Sequence, residues 1–178
     1  DPNIQAAEKA AALIPEPRVT VYSDYRELVQ NPDMDLVIVA TPDHMHLGPA
    51  CAALEAGKFV FVEKPLATTM HDVEEFYYLA LAHPAKLIFS EKWLFGYAIE
   101  ALLEHRHRLG RLLAGHASFT QFQSELIMGG GKWRTTHAYN PCAGGCGHFA
   151  SVLRHLFGPI TSVCAIGHVR RYEELLPY

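Results

Sequence analysis

The chain has 178 residues, enough for one domain or a compact pair, and its 49% hydrophobic and 19% charged content is that of an ordinary folded protein. A net charge of -4 argues against a general nucleic-acid binder, which is usually basic. No apolar segment approaches the ~18 residues that span a bilayer, Asp1-Pro2-Asn3 does not read as a signal peptide, and four cysteines without regular spacing fit free thiols in a reducing, cytoplasmic setting.

Residues Asn3 to Ala12 read as a helix with Ala6, Ala7, Ala10 and Ala11 on one face, and Val19-Thr20-Val21-Tyr22 reads as a strand. Asp24 with Glu27 has the pattern of a capping box that opens a short helix to about Gln30, and Asn31-Pro32-Asp33 ends it. Leu36-Val37-Ile38-Val39-Ala40 is a continuous apolar run, the kind that forms strands buried on both faces of an α/β sheet. Residues Met45 to Ala56, rich in Ala and Leu, should be helical, with Gly57 as the left-handed stop before Lys58. Phe59-Val60-Phe61-Val62 is a second buried strand. A strand-helix-strand unit of roughly 30 residues crosses over right-handedly, so its strands are parallel.

Thr69 with Asp72 is a further capping box, and the helix behind it sets Val73, Phe76, Tyr77 and Ala80 on one stripe until Pro84. Leu87-Ile88-Phe89 is the next strand. After Ser90 the pattern changes. A helix runs from about Tyr97 to Arg108, His116 to Gln123 and Ser162 to Val169 read as strands, Gly129-Gly130-Gly131 as a flexible loop, and Phe149 to Phe157 as a helix stopped by Gly158-Pro159. The expected class is α/β: a partial Rossmann-type, doubly wound parallel sheet, followed by part of an α+β domain with an open sheet.

The parallel unit leaves Thr41-Pro42-Asp43 and Glu63-Lys64-Pro65 at the ends of neighbouring strands. Ligands of open parallel sheets bind outside the carboxyl ends of the strands, so a lysine fixed there is placed to face a bound molecule. A tight turn at such an edge would suit a cis Lys64-Pro65 bond. A rival reading is a metal site built from Asp43-His44-Met45-His46 or Cys142, Cys146 and His148. Their spacing matches no standard zinc pattern, and His44 and His46, two apart on a helix, diverge by about 200°. No metal is expected, and a metallohydrolase would instead carry stoichiometric zinc.

Val39-Ala40-Thr41-Pro42 with His46, Ala53-Leu54-Glu55-Ala56-Gly57-Lys58 and Val62-Glu63-Lys64-Pro65-Leu66-Ala67 closely resemble the glucose-fructose oxidoreductase / inositol dehydrogenase family, often written Gfo/Idh/MocA. Trp133-Arg134, a glycine-rich turn at Gly144-Gly145, and His148 followed by Leu153-Arg154-His155-Leu156-Phe157-Gly158 extend the likeness over nearly the whole chain. The resemblance implies an amino-terminal Rossmann domain for NAD or NADP. It also implies a carboxy-terminal domain with a large open sheet that holds a sugar, inositol or related polyol and mediates assembly into homo-oligomers. By this likeness residues 1–90 are a partial dinucleotide-binding domain lacking its first βαβ unit, residues 91–178 are a partial substrate-binding and oligomerisation domain, and the chain reads as an internal fragment without G-x-G-x-x-G. Alone, it is not expected to bind dinucleotide tightly.

The resemblance assigns Asp1, Thr41, Pro42, Asp43, His46, Glu63, Lys64 and Pro65 to the cofactor, with Asp1 on the adenosine ribose and thus favouring NAD. Lys92, Trp133, Arg134 and His148 would face substrate. Lys64 would hold the substrate oxygen and relay its proton, and His148 would be the base or acid. The family often has acids four residues before and three after this histidine, and here those positions hold Gly144 and Ser151. That departure motivates an alternative: a non-catalytic binding or assembly protein that keeps the fold.

Overall fold

The computed structural model describes residues 1–15, 19–118 and 141–167, with the backbone alone for 141–144. Its helices are α1 (Ile4–Ala11), α2 (Tyr25–Val29), α3 (Leu47–Glu55), α4 (Met70–Ala82), α5 (Tyr97–His105) and α6 (Pro141–Phe157), and its strands are β1 (Leu36–Val39), β2 (Phe59–Val62) and β3 (Leu87–Phe89). Single 3₁₀ turns cover Asp43–Met45, Lys92–Phe95 and Arg106–Leu109. The strands form one three-stranded sheet in the order β1-β2-β3. Both pairings are parallel, with Val39 opposite Val62 and Val62 opposite Phe89.

Local sequence accounts for the boundaries of the βαβ unit. Gly57 adopts φ 79°, a left-handed value that any side chain would strain, and its N–H donates to the Leu54 carbonyl at 2.9 Å. That turn sends the chain straight into β2. Thr69 caps α4 by accepting from the Asp72 N–H at 3.1 Å, a contact worth about 1 kcal/mol at such positions. Asp24 caps α2 through the Arg26 N–H at 2.8 Å rather than through the Glu27 position of a capping box. That backbone donor, with the Arg26 side chain, holds the Asp24 carboxyl below its ordinary range.

The core lies on one side of the sheet. Val37 and Val39 from β1, Val60 and Val62 from β2, Ala50, Ala53 and Leu54 from α3, Val29 from α2 and Phe76 from α4 form a single buried cluster. Fully burying Leu54 and Phe76 contributes about 1.5–3 kcal/mol each. The opposite sheet face carries Leu36, Ile38, Phe59 and Ile88, all exposed among the described residues. Among the described residues these strands are covered on one face only. The reason is placement: the helices contacting β1 and β2 pack from the valine side.

Some expectations are corrected. Val19 to Tyr22 forms no strand, because no described neighbour supplies a ladder for its backbone groups. His116–Ser118 and Ser162–Gly167 are likewise not strands. The rest of those two segments and Gly129 to Gly131 lie outside the described residues. Helix α5 stops at His105 and passes into a 3₁₀ turn. On α4 only Phe76 of the expected stripe is buried, and Tyr77 faces water.

Cys51, Cys146 and Cys164 are free thiols. The Cys51 thiol donates to Glu55 Oε1 at 3.5 Å. Partial burial pushes its pKa above the ordinary value, and the hydrogen bond and the negative charges of Glu55 and Glu75 push further the same way. Less thiolate is therefore present at neutral pH. Cys51 will be alkylated by iodoacetamide more slowly than the exposed Cys146 and Cys164, as peptide mapping of a time course would reveal; faster labelling of Cys51 would contradict this environment.

Candidate active site

The parallel register sets the carboxyl ends of the strands side by side. The Glu63 N–H donates to the Val39 carbonyl at 3.0 Å and the Ser90 N–H to the Val62 carbonyl at 2.9 Å. Each strand thus hands its following residues to the same sheet edge. After β1 come Thr41 and Pro42, and then Asp43 opens the 3₁₀ turn that leads into α3. After β2 come Glu63 and Lys64, joined to Pro65 by a cis peptide bond.

His46 ties these two turns together. Its side chain is buried, 1% exposed, with Nδ1 at 2.9 Å from the Pro65 carbonyl and Nε2 at 3.0 Å from the Thr41 carbonyl. A neutral imidazole carries one N–H, so both carbonyls receive a proton only from the doubly protonated ring. His46, expected against a cofactor, spends both nitrogens on the backbone that walls the site.

Glu63 is the second brace. Its Oε2 accepts from the Lys64 N–H at 3.1 Å and its Oε1 from the Ser90 hydroxyl at 3.4 Å, which joins the ends of β2 and β3. Thr41 Oγ1 is sealed from solvent and has no hydrogen-bond partner among the described residues. A buried hydroxyl left unpaired costs free energy unless something satisfies it. It is the kind of group that a polar ligand seated at this edge would pair.

The residue after Ser90 begins a second cluster. Glu91 and His148 are both buried, and His148 Nδ1 lies 2.5 Å from Glu91 Oε1. The same oxygen accepts from the Trp93 N–H at 3.3 Å. The Trp93 ring stacks on the His148 ring, centroids 4.8 Å apart and planes within 6°, while Phe149 meets Trp93 edge-on at 5.1 Å. His148 sits inside α6 and not in a glycine-rich turn: Gly144 and Gly145 are helical too. Lys92 opens the adjacent 3₁₀ turn and is exposed.

Of the residues singled out from sequence, Thr41, Pro42, Asp43, His46, Glu63, Lys64 and Pro65 share one sheet edge. Asp1 contacts Tyr22 and Asn3, its amino group donating to the Tyr22 carbonyl at 3.0 Å and its carboxylate accepting from the Asn3 N–H at 2.8 Å. Trp133 and Arg134 lie outside the described residues. Ser90, Glu91 and Trp93 were missed. The edge rule that picked out Lys64 also applies to Glu91, the second residue beyond β3.

The amino-terminal half, residues 1–90, matches the family model described as an oxidoreductase family with an NAD-binding Rossmann fold, GFO_IDH_MocA. The chain belongs to this family. An inositol 2-dehydrogenase/D-chiro-inositol 3-dehydrogenase of Shouchella clausii is 41% identical over 88 residues, which covers 49% of this chain and 25% of that protein. The myo-inositol dehydrogenase of Lactobacillus casei, solved with NAD(H) and myo-inositol, superposes with a TM-score of 0.57 at 30% identity, over 61% of this chain and 32% of that one. The WlbA dehydrogenase of Bordetella pertussis, solved with NADH and UDP-GlcNAcA, shares the fold, with a TM-score of 0.71 at 21% identity over 89% of this chain and 46% of that one. The chain spans about a quarter of the length of curated relatives such as the Shouchella enzyme. Among the described residues, no helix of this GFO_IDH_MocA chain is long and apolar enough to cross a membrane.

Proposed function

We propose that the intact protein is an NAD(P)-dependent oxidoreductase that moves hydride between a nicotinamide cofactor and a CH–OH group of a sugar, an inositol or a related polyol or ketone. The observation that carries this reading is the paired strand edge, where His46 locks the turn bearing Thr41 to the turn bearing Lys64. The unpaired Thr41 hydroxyl fits a polar ligand there.

Thr41, Pro42, Asp43, Glu63, Lys64 and Pro65 would hold the cofactor, with His46 fixing the wall behind them. Asp1 would take the adenosine ribose hydroxyls, which favours NAD over NADP. When bound, the nicotinamide supplies the hydride acceptor. Lys64 holds the substrate oxygen and passes its proton, and His148 exchanges a proton with the same substrate as base or acid. Lys92, Trp133 and Arg134 face the substrate in this reading. Residues 1–90 serve the cofactor, and residues 91–178 serve substrate binding and homo-oligomer contacts. The free thiols Cys51, Cys146 and Cys164 support a cytoplasmic location.

Calorimetric titration of the intact protein with NAD and NADP, followed by a panel of inositols and aldoses scored by cofactor reduction, tests this. Binding of NAD and turnover of at least one polyol are expected. An intact, folded protein that binds neither dinucleotide would overturn the proposal.

A further inference from the structure

We propose that Glu91 is the positioning residue for His148, supplying from the end of β3 the carboxylate absent at Gly144 and Ser151; this rests on the reading of His148 as an acid–base group. The two side chains are 57 residues apart in sequence, and their 2.5 Å contact is buried. Two constraints fix the imidazole. The Glu91 carboxylate accepts the Nδ1–H in the plane of the ring, and Trp93 lies flat against its face at 6°. An in-plane hydrogen bond and a stacked face together leave the ring neither tilt nor flip.

Glu91 is itself held. Its Oε1 accepts from the Trp93 N–H, and its neighbour Ser90 is bound through its N–H to Val62 on β2 and through its hydroxyl to Glu63. The orientation of the His148 ring is thereby inherited from the β2–β3 ladder, on the same edge that carries Lys64. Ser151, one turn beyond His148, is engaged elsewhere on its helix, where its carbonyl faces the His155 ring at 2.8 Å.

The chemical consequence is a fixed tautomer. With Nδ1–H on the carboxylate, Nε2 keeps its lone pair. In the oxidation direction the substrate O–H bond breaks as the carbinol C–H pair leaves as hydride for the bound nicotinamide, the O–H electron pair closes the C=O bond, and the proton passes by way of the Lys64 amine to Nε2. The ring is then a cation whose Nδ1–H still faces Glu91, and the carboxylate remains ionised throughout. In Glu91→Gln the amide NH₂ can turn towards Nδ1, which places the ring proton on Nε2 and removes the acceptor.

The test uses the intact protein with Glu91→Gln, Glu91→Asp, His148→Ala and the Glu91→Gln/His148→Ala double variant. Glu91→Gln is expected to lower kcat on the order of 10²-fold or more, with NAD affinity unchanged. Glu91→Asp should recover part of that loss, and the double variant should be no slower than His148→Ala alone. In ¹⁵N-histidine spectra of the wild type at alkaline pH, the His148 resonances, identified by their loss in His148→Ala, should report the Nδ1–H tautomer. Full turnover by Glu91→Gln beside a crippled His148→Ala would overturn the positioning role and leave the catalytic reading intact. Full turnover by His148→Ala would overturn both. If Glu91→Gln does not fold, the wild-type spectrum decides, and an Nε2–H tautomer overturns the proposal.

Discussion

Replacing Lys64 by alanine in the intact protein will lower kcat/KM for the proposed polyol oxidation by on the order of 10³-fold, the range expected when a positioned proton-transfer group is removed. The expectation comes from where the backbone puts this side chain. Lys64 is the second residue beyond β2, the middle strand, which is hydrogen-bonded on both sides. Its own N–H is bound by Glu63, and the next residue, Pro65, is gripped by His46. A backbone held on both sides roots the lysine side chain at the carboxyl edge of β2. Arginine should not rescue it, because a planar fork differs in reach and donor geometry from a compact ammonium, and a guanidinium does not release its proton. The loss should fall on kcat more than on dinucleotide affinity, since Thr41 and its neighbours on β1 remain. Near-wild-type turnover by Lys64→Ala would remove this residue from the chemistry.

Replacing His46 by leucine should destabilise the fold by about 1–2 kcal/mol, read as a shift of the urea midpoint at constant slope. The side chain is buried between the carbonyls of Thr41 and Pro65, and the N–H of its neutral ring donates to one of them. A buried acceptor left unpaired costs about 1–3 kcal/mol, and the added apolar contacts of leucine return part of it. Leucine is close in size, so the expected effect is electrostatic and not a cavity. A shift below about 0.5 kcal/mol, typical of surface substitutions, would mean that water reaches those carbonyls and that His46 is no clamp.

Much of this arrangement was legible in the sequence because its causes are local. The apolar runs from Leu36 and Phe59, the left-handed Gly57 and the Thr69 cap each declare themselves within a few residues, and chain chirality then forces the two strands parallel. That is why the sequence alone sets Thr41 and Lys64 on one edge. The misses have non-local causes. Val19 to Tyr22 has strand composition, but a strand exists only with a neighbour to pair it. Gly144 and Gly145 suggested a turn, since glycine is a poor helix former. They lie instead in a helix that continues through Val152 and packs Phe149 on Trp93, and such tertiary contacts override a weak propensity. Glu91 had no local signal as the partner of His148, because a hydrogen bond across 57 positions leaves no spacing to read.

The side of the sheet left open among the described residues bears on how this polypeptide can be handled. Leu36 stands beside Phe59, and Ile38 and Ile88 flank Phe61, so the open face is an oily strip crossing all three strands. Water wets such a surface at a cost of about 25 cal/mol per Å², and a flat apolar strip of this kind invites adhesion to anything similar. Preparations limited to these 178 residues will be colloidally fragile, binding hydrophobic dyes and scattering light as concentration rises.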